Sequence, residues 1–162
     1  LNEQHDWLID QLGFRIHPMI PVPNAEEGAL RIADIACGTG VWLLDLAKQY
    51  PQAQLDGFDI DAVGFPATRG QEDHHRVNFH LADALAESGF GSKFESKFDI
   101  VQIRLVYLAL KGSEMWVRMA SNAAALLKPG GYLQWIEEHA QDLKVVQRKP
   151  GVKRAAIDQI FQ

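Results

Sequence analysis

The stretch Ala33-Asp34-Ile35-Ala36-Cys37-Gly38-Thr39-Gly40 decides the reading of this chain. It ends a short run of buried-strand character, residues 30–36 (LRIADIA), and leads straight into a helical pattern over residues 41–50 that Pro51 closes. A strand, a glycine loop and a helix in that order leave free backbone N–H groups at the helix N-terminus, and the glycines let a ligand approach the backbone closely. Asp34 stands inside the predicted strand, four residues before Gly38. A carboxylate buried there is costly unless something pairs with it. A ligand that carries the ammonium of an amino acid gives it a use, either directly or through water, while the carboxylate orders the loop amides.

Outward from this loop the pattern alternates. Residues 2–12 read as a short amphipathic helix with Trp7, Leu8 and Leu12 on one side and Gly13 as its stop. Residues 17–24 hold three prolines and read as an extended connector. Further strands are predicted at residues 54–59, 77–81, 98–103 and 132–136. The clearest helix, residues 113–127, carries Met115, Trp116, Met119, Ala120, Ala123, Leu126 and Leu127 as one apolar stripe. Residues 61–76 are poorly patterned, residues 84–97 read as loop, Lys128-Pro129-Gly130-Gly131 as a tight turn, and residues 151–162 as the start of another helix. Strand–helix repetition of this kind predicts an α/β fold, a mostly parallel sheet with helices on both faces. Right-handed crossovers place any ligand at the carboxyl edge of that sheet. Residues 1–29 divide off as an N-terminal helix and connector, and residues 30–162 as the core.

Acidic residues fall at the expected carboxyl ends of successive strands. Asp59 closes the second strand, 19 residues after Gly40, where a carboxylate can accept both hydroxyls of a ribose. Asp83 follows the third, where a carboxylate can accept an adenine amino group. Taken singly, each is also explained as a turn or cap residue, a place Asp favours. A dinucleotide site asks for G-x-G-x-x-G, but Leu43 occupies the third glycine position. The dinucleotide fold also has an apolar residue where this chain has Asp34. The bulk numbers narrow the field further. The chain has 162 residues, 47% hydrophobic and 23% charged, an ordinary composition for one globular domain. A net charge of −5 argues against nucleic acid as the main partner. The single cysteine excludes an internal disulfide framework and suits a reducing, intracellular compartment, cytoplasmic or nuclear. No apolar run approaches the roughly 20 residues of a membrane span; the most apolar stretch, residues 100–110, is broken by Gln102 and Arg104. There is no signal-peptide pattern, and a chain beginning at Leu1 reads as a fragment or a processed form.

With these residues in hand, the chain resembles the class I methyltransferases that use S-adenosylmethionine (SAM). Asp34-Ile35-Ala36-Cys37-Gly38-Thr39-Gly40 is similar to their D-x-G-x-G-x-G motif, with Ala36 in place of the first glycine. Gly57-Phe58-Asp59 resembles the ribose-binding acidic motif, and Leu81-Ala82-Asp83-Ala84 the adenine-binding motif. Phe98-Asp99-Ile100-Val101 resembles the fourth-strand motif, and residues 126–131 (LLKPGG) the turn before the fifth strand. Asn2-Glu3-Gln4-His5, Gly40-Val41-Trp42, Phe65-Pro66, Arg104 and Gly131-Tyr132-Leu133-Gln134-Trp135 further resemble fungal secondary-metabolism methyltransferases and their LaeA-like regulator relatives.

The resemblance implies a Rossmann-like, doubly wound sheet of strand order 3-2-1-4-5, truncated at its C-terminus because the family's sixth and seventh strands would follow residue 162. It implies an exposed sheet edge that a second copy or a protein partner would cover. It implies transfer of a methyl group from SAM to a small-molecule acceptor, or a regulatory protein that keeps the fold and works through partners. Asp34, Ala36, Gly38 and Gly40 would face the methionine part, Asp59 the ribose, Ile60 the adenine ring, and Asp83 and Ala84 the adenine edge. Arg104 lies near the methionine end; a salt bridge to a carboxylate such as Asp99 explains it equally well. If the acceptor needs a base, His139 and Glu138 follow the fifth strand, and His5 reaches the site if the N-terminal helix folds over it; for each, a surface or capping role is the alternative. Tyr107 and Trp135 are candidates for the substrate pocket, and core packing is their alternative. Cys37 reads as a small packed residue. No metal site is expected from one cysteine and scattered histidines, and a G-x-S-x-G elbow is absent.

Overall fold

The structure is a computed structural model, and it describes residues 2–22, 29–66 and 77–138. Helix α1 (Asn2–Leu12) precedes strand β1 (Arg31–Ile35), helix α2 (Val41–Gln49), strand β2 (Gln54–Asp59), strand β3 (Val77–Leu81), strand β4 (Phe98–Arg104), helix α3 (Gly112–Leu126) and strand β5 (Leu127–Ile136). The five strands form one parallel sheet in the order β3-β2-β1-β4-β5. This is the expected Rossmann-like arrangement. The chain reverses its direction of travel across the sheet between β1 and β4, so the loops leaving those two strands flank a crevice at the carboxyl edge.

Each face of the sheet is covered by a different helical layer. Ile32, Leu55 and Ile100 pack with Trp42, Leu43, Leu46 and Ala47 of α2. Ala33, Ile35, Val101 and Ile103 pack with Met119, Ala123 and Leu126 of α3. Side chains alternate between the faces of a strand, so the polar residues Asp34, Gln102 and Arg104 share the α2 side with Ile32 and Ile100. The segment read as loop, residues 84–97, does hold only turns and a short 3-10 helix, Ser92–Phe94. It nevertheless delivers Phe90 and Phe94 onto Phe58, with ring centroids 4.9 and 4.8 Å away.

Two local readings need correction. In α1 the buried residues are His5 and Leu8, with Ile9 and Leu12 partly covered, whereas Trp7 is 51% exposed. Positions 5, 8, 9 and 12 follow the helical period, and Trp7 falls about 100° off that stripe. Residues 128–131 do not separate helix from strand as a tight turn. Strand β5 already begins at Leu127, which pairs with Phe98, and the pairing resumes at Tyr132 opposite Ile100. The intervening Lys-Pro-Gly-Gly residues interrupt the ladder: Pro129 has no N–H to pair, and Gly130 takes a positive φ of 81°. The helix anticipated at residues 151–162 lies outside the described residues.

The N-terminal connector is tied to the sheet by polar contacts. Gln134 of β5 receives the His17 N–H at Oε1 (2.7 Å). It donates through Nε2 to the Arg15 carbonyl (2.9 Å) and to Gln102 Oε1 (2.6 Å). The Trp42 indole N–H also donates to the Arg15 carbonyl (3.2 Å). Gln102 is fully buried, so the polar breaks in the apolar run of β4 are the means of docking this connector.

Candidate active site

The loop after β1 turns sharply three times. Ala36, Gly38 and Gly40 all have positive φ, at 56°, 56° and 66°. Ala36 thus adopts the left-handed conformation that glycine adopts without strain. At Gly40 a Cβ would also overlap the edge of the Phe79 ring, which would have to shift. Asp59 then fixes the loop from below. Its Oδ2 accepts the Gly38 N–H (2.7 Å) and its Oδ1 accepts the Asp61 N–H (3.0 Å). The Cys37 N–H donates to the Phe58 carbonyl (3.1 Å), and the Gly40 N–H to the Cys37 carbonyl (2.9 Å). The Cys37 thiol is packed, and burial pushes its pKa upward.

This loop borders a cavity of about 480 Å³. Asp34, Ala36, Gly38, Asp59, Ile60 and Arg104 line it, joined by Gln4, His5 and Leu8 of α1 and by Leu105, Val106, Leu108 and Ala109 after β4. Helix α1 therefore does lie over the crevice. It is fastened there by Thr39 Oγ1 donating to Asn2 Oδ1 (2.9 Å) and by His5, whose Nε2 lies 3.2 Å from Asp45 Oδ2. Arg15 Nε donates to the same Asp45 oxygen (2.6 Å). Ile60 is 70% exposed at the rim, an apolar surface next to a carboxylate.

Two charged groups inside the cavity are incomplete. Asp34 is 2% exposed, and its Oδ2 is buried with no hydrogen-bond partner. Arg104 Nε is likewise buried and unpartnered. The two groups are close enough to be electrostatically coupled, yet no ion pair joins them among the described residues. Burial raises the Asp34 pKa to about 7, with nearby Arg104 opposing the shift and Asp59 adding to it. Burial also lowers the Arg104 pKa, against the pull of Asp34. Buried polar groups rarely go unpaired. A carboxylate short of a donor beside a guanidinium short of an acceptor matches a group that is both cation and anion. Asp99, the alternative partner for Arg104, instead binds Lys128 Nζ (2.7 Å) and the Arg31 N–H (2.8 Å).

Other candidates stand apart from the cavity. Asp83 is exposed, and its Oδ1 caps the turn at the Leu85 N–H (2.8 Å). The Ala84 carbonyl accepts from Asn122 Nδ2 (2.8 Å). Neither residue is among those lining the cavity, and neither are Tyr107, Trp135 or Glu138. Trp135 stacks on Trp116 at 5.3 Å and donates to Glu137 Oε1 (2.7 Å). His139 lies outside the described residues. Among the described residues no group of three or more His, Cys, Asp and Glu is placed to hold a metal ion.

The structure also brings forward residues that the sequence did not single out. Glu137 accepts the Val106 and Tyr107 N–H groups (3.1 and 3.2 Å) besides the Trp135 indole, so it clamps the loop that forms one wall of the cavity. Its neighbour Glu138 was the candidate, because nothing local distinguishes two adjacent carboxylates. Asp45 had a local signal, a charge in the apolar helix that follows the glycine loop.

A family model described as a methyltransferase domain matches residues 32–131, more than half of the chain. The chain belongs to the methyltransferase-domain family. The domain is 31% identical to the methyltransferase grgD of Penicillium over 85% of this chain and 47% of grgD. It is 35% identical to the N-methyltransferase tcpN of Claviceps purpurea over 91% of this chain and 50% of tcpN. A third relative is the secondary metabolism regulator laeA of Coprinopsis cinerea, 26% identical over 80% of this chain and 30% of laeA. The chain spans about half the length of grgD and tcpN. Among solved structures, an O-methyltransferase family protein from Burkholderia thailandensis shares the fold with a TM-score of 0.62 at 20% identity, over 83% of this chain and 38% of that one. Among the described residues, no helix of this methyltransferase domain is long and apolar enough to cross a membrane.

Proposed function

We propose that the cavity binds SAM and that the chain forms the cofactor-holding part of a methyltransferase acting on a small-molecule acceptor. The observation that carries this is that Asp34 and Arg104, each with a buried, unpartnered polar atom (Oδ2 and Nε), line one cavity together with the glycine loop and Asp59. The donor set fits the molecule. Asp34 takes the ammonium and Arg104 the carboxylate of the methionine end. Gly38 and Thr39 of the glycine loop border its middle. Asp59, already oriented by two backbone N–H groups, keeps lone pairs for ribose hydroxyls, since an ionised carboxylate accepts about four hydrogen bonds. Ile60 offers the apolar rim for the base; Asp83 and Ala84, outside the cavity lining, would meet the edge of a base that extends past Ile60.

When bound, SAM supplies a methyl group already activated on a sulfonium. The protein's task is then to hold and orient. Helix α1 and residues 105–109 screen the cavity from water, which strengthens each charge contact inside it. Of the candidate bases, His5 has both ring nitrogens engaged by Arg104 and Asp45. Glu138 and His139 are the remaining candidates for taking a proton from an acceptor. The N-methyltransferase name of tcpN and the methyltransferase name of grgD support methyl transfer.

The decisive experiment is calorimetry with SAM, S-adenosylhomocysteine and NAD. SAM and its product are expected to bind; NAD binding without SAM binding would sink the reading. A second reading, a regulator that binds SAM but works through protein partners, is favoured by the likeness to laeA. Turnover with small acceptors separates the two.

A further inference from the structure

We infer that His5 is a positioning residue, which holds Arg104 away from Asp34 so that both charges stay open to the amino-acid end of the ligand. The inference rests on the SAM reading above and deepens it. Asp34 and Arg104 share a desolvated space, and opposite charges in such surroundings attract strongly. Their direct ion pair would satisfy Asp34 Oδ2 and an Arg104 nitrogen together. The structure does not show that pair; it leaves Asp34 Oδ2 and Arg104 Nε without partners. Two contacts hold the guanidinium elsewhere. Arg104 Nη1 lies 3.1 Å from His5 Nδ1, and its Cζ lies 5.8 Å from the centroid of the Trp42 ring.

The chemistry of this contact assigns the histidine's form. A guanidinium has only donors, so His5 Nδ1 accepts and Nε2 carries the hydrogen, which points to Asp45 Oδ2 at 3.2 Å. Arg15 Nε meets the same oxygen at 2.6 Å and helps anchor that carboxylate. The relay Arg15–Asp45–His5–Arg104 thus runs from the connector, through α2 and α1, to the end of β4. His5 is 4% exposed, so the imidazole is rigidly placed. With its acceptor removed, Arg104 has one strong alternative, Asp34, and the collapsed pair closes both halves of the zwitterion site.

Two nucleosides separate the effect. S-Adenosylhomocysteine carries the amino-acid end, and 5′-deoxy-5′-methylthioadenosine has the same thioether nucleoside without it. The wild-type chain is expected to prefer the first by about tenfold or more, given the strength of charge-assisted hydrogen bonds. His5→Leu fills the space but accepts no hydrogen bond; it should lose most of that preference while binding methylthioadenosine within about twofold of wild type. His5→Gln, which can accept from Arg104 and donate to Asp45, should keep the preference. Retention of the full preference in His5→Leu overturns the proposal, as does its loss in His5→Gln. Equal weakening toward both nucleosides also overturns it, because that marks α1 as packing only. Should His5→Leu not fold, His5→Ala takes its place and the Gln variant still decides. A wild-type chain that binds neither nucleoside removes the SAM reading itself. One that binds both, with His5→Leu unchanged, removes the positioning role alone.

Discussion

Asp34 is the residue whose physics is most exposed to measurement. Its folded-state pKa, about 7, lies above the ordinary carboxylate value of 3.8 because burial disfavours the charged form. The free folded chain therefore holds that proton more tightly than the unfolded chain. Its contribution favours folding below the unfolded value and declines as pH rises from about 4 to about 7, by a few kcal/mol in total. A ligand ammonium reverses the preference, so binding should release a proton and tighten as pH rises through about 7. Calorimetry in buffers of different ionisation enthalpy reads that proton directly. Asp34→Asn removes the buried charge; it should raise the thermal midpoint of the free chain at pH 8 and abolish the pH dependence of binding. A lower midpoint would show that the charge is better solvated than its burial indicates. Asp59→Ala should weaken SAM by about 1–3 kcal/mol, the scale of charge-assisted hydrogen bonds. It should also loosen the loop, since the Gly38 and Asp61 N–H groups lose their acceptor.

At the scale of elements, the loops rather than the strands carry the strain. Gly40 opens α2 with a positive φ and faces the Phe79 ring of β3. Gly40→Ala should therefore destabilise the chain by about 2–4 kcal/mol, combining left-handed strain with overpacking; chemical denaturation measures it. A change under about 0.5 kcal/mol, typical of a neutral surface site, would place the Phe79 ring elsewhere. Glu137 plays the corresponding part at the other end of the crevice. Glu137→Ala leaves the Val106 and Tyr107 N–H groups and the Trp135 indole without their acceptor. The expected cost is about 2 kcal/mol, with faster amide exchange at residues 105–107 than elsewhere in the sheet. Uniform exchange after the substitution would mean that the loop is held by its apolar contacts instead.

For the molecule as a whole, the polar seam between connector and sheet joins the N-terminal helix to the core. Gln134 touches Arg15, His17 and Gln102 at once. Gln134→Leu keeps the volume and removes every one of these bonds, leaving buried groups unpaired. It should expose residues 13–22 to limited proteolysis, and it should lower SAM affinity without touching a cavity-lining side chain. Proteolysis at the wild-type rate would show that apolar contacts alone hold the connector. The coupling runs through Arg15, which meets Gln134 by its carbonyl and Asp45 by its side chain.

Much of this was legible in the linear chain, for a physical reason. Strand and helix periods, the glycine loop and the acids at strand ends are local patterns, and they determine the α/β alternation and the position of the crevice. Asp34 could be read as functional because a carboxylate inside a strand has no local explanation. Contacts between residues far apart in the sequence were not legible. That His5 rather than Trp7 faces inward, that Arg104 meets His5 rather than Asp99, and that Glu137 rather than Glu138 clamps the loop each depend on which side chains the fold brings within about 3 Å. The sequence by itself determined the loop and the charge it needs. Only the tertiary structure decided what holds that charge open, because an unpaired buried group is a property of its surroundings and not of its position in the chain.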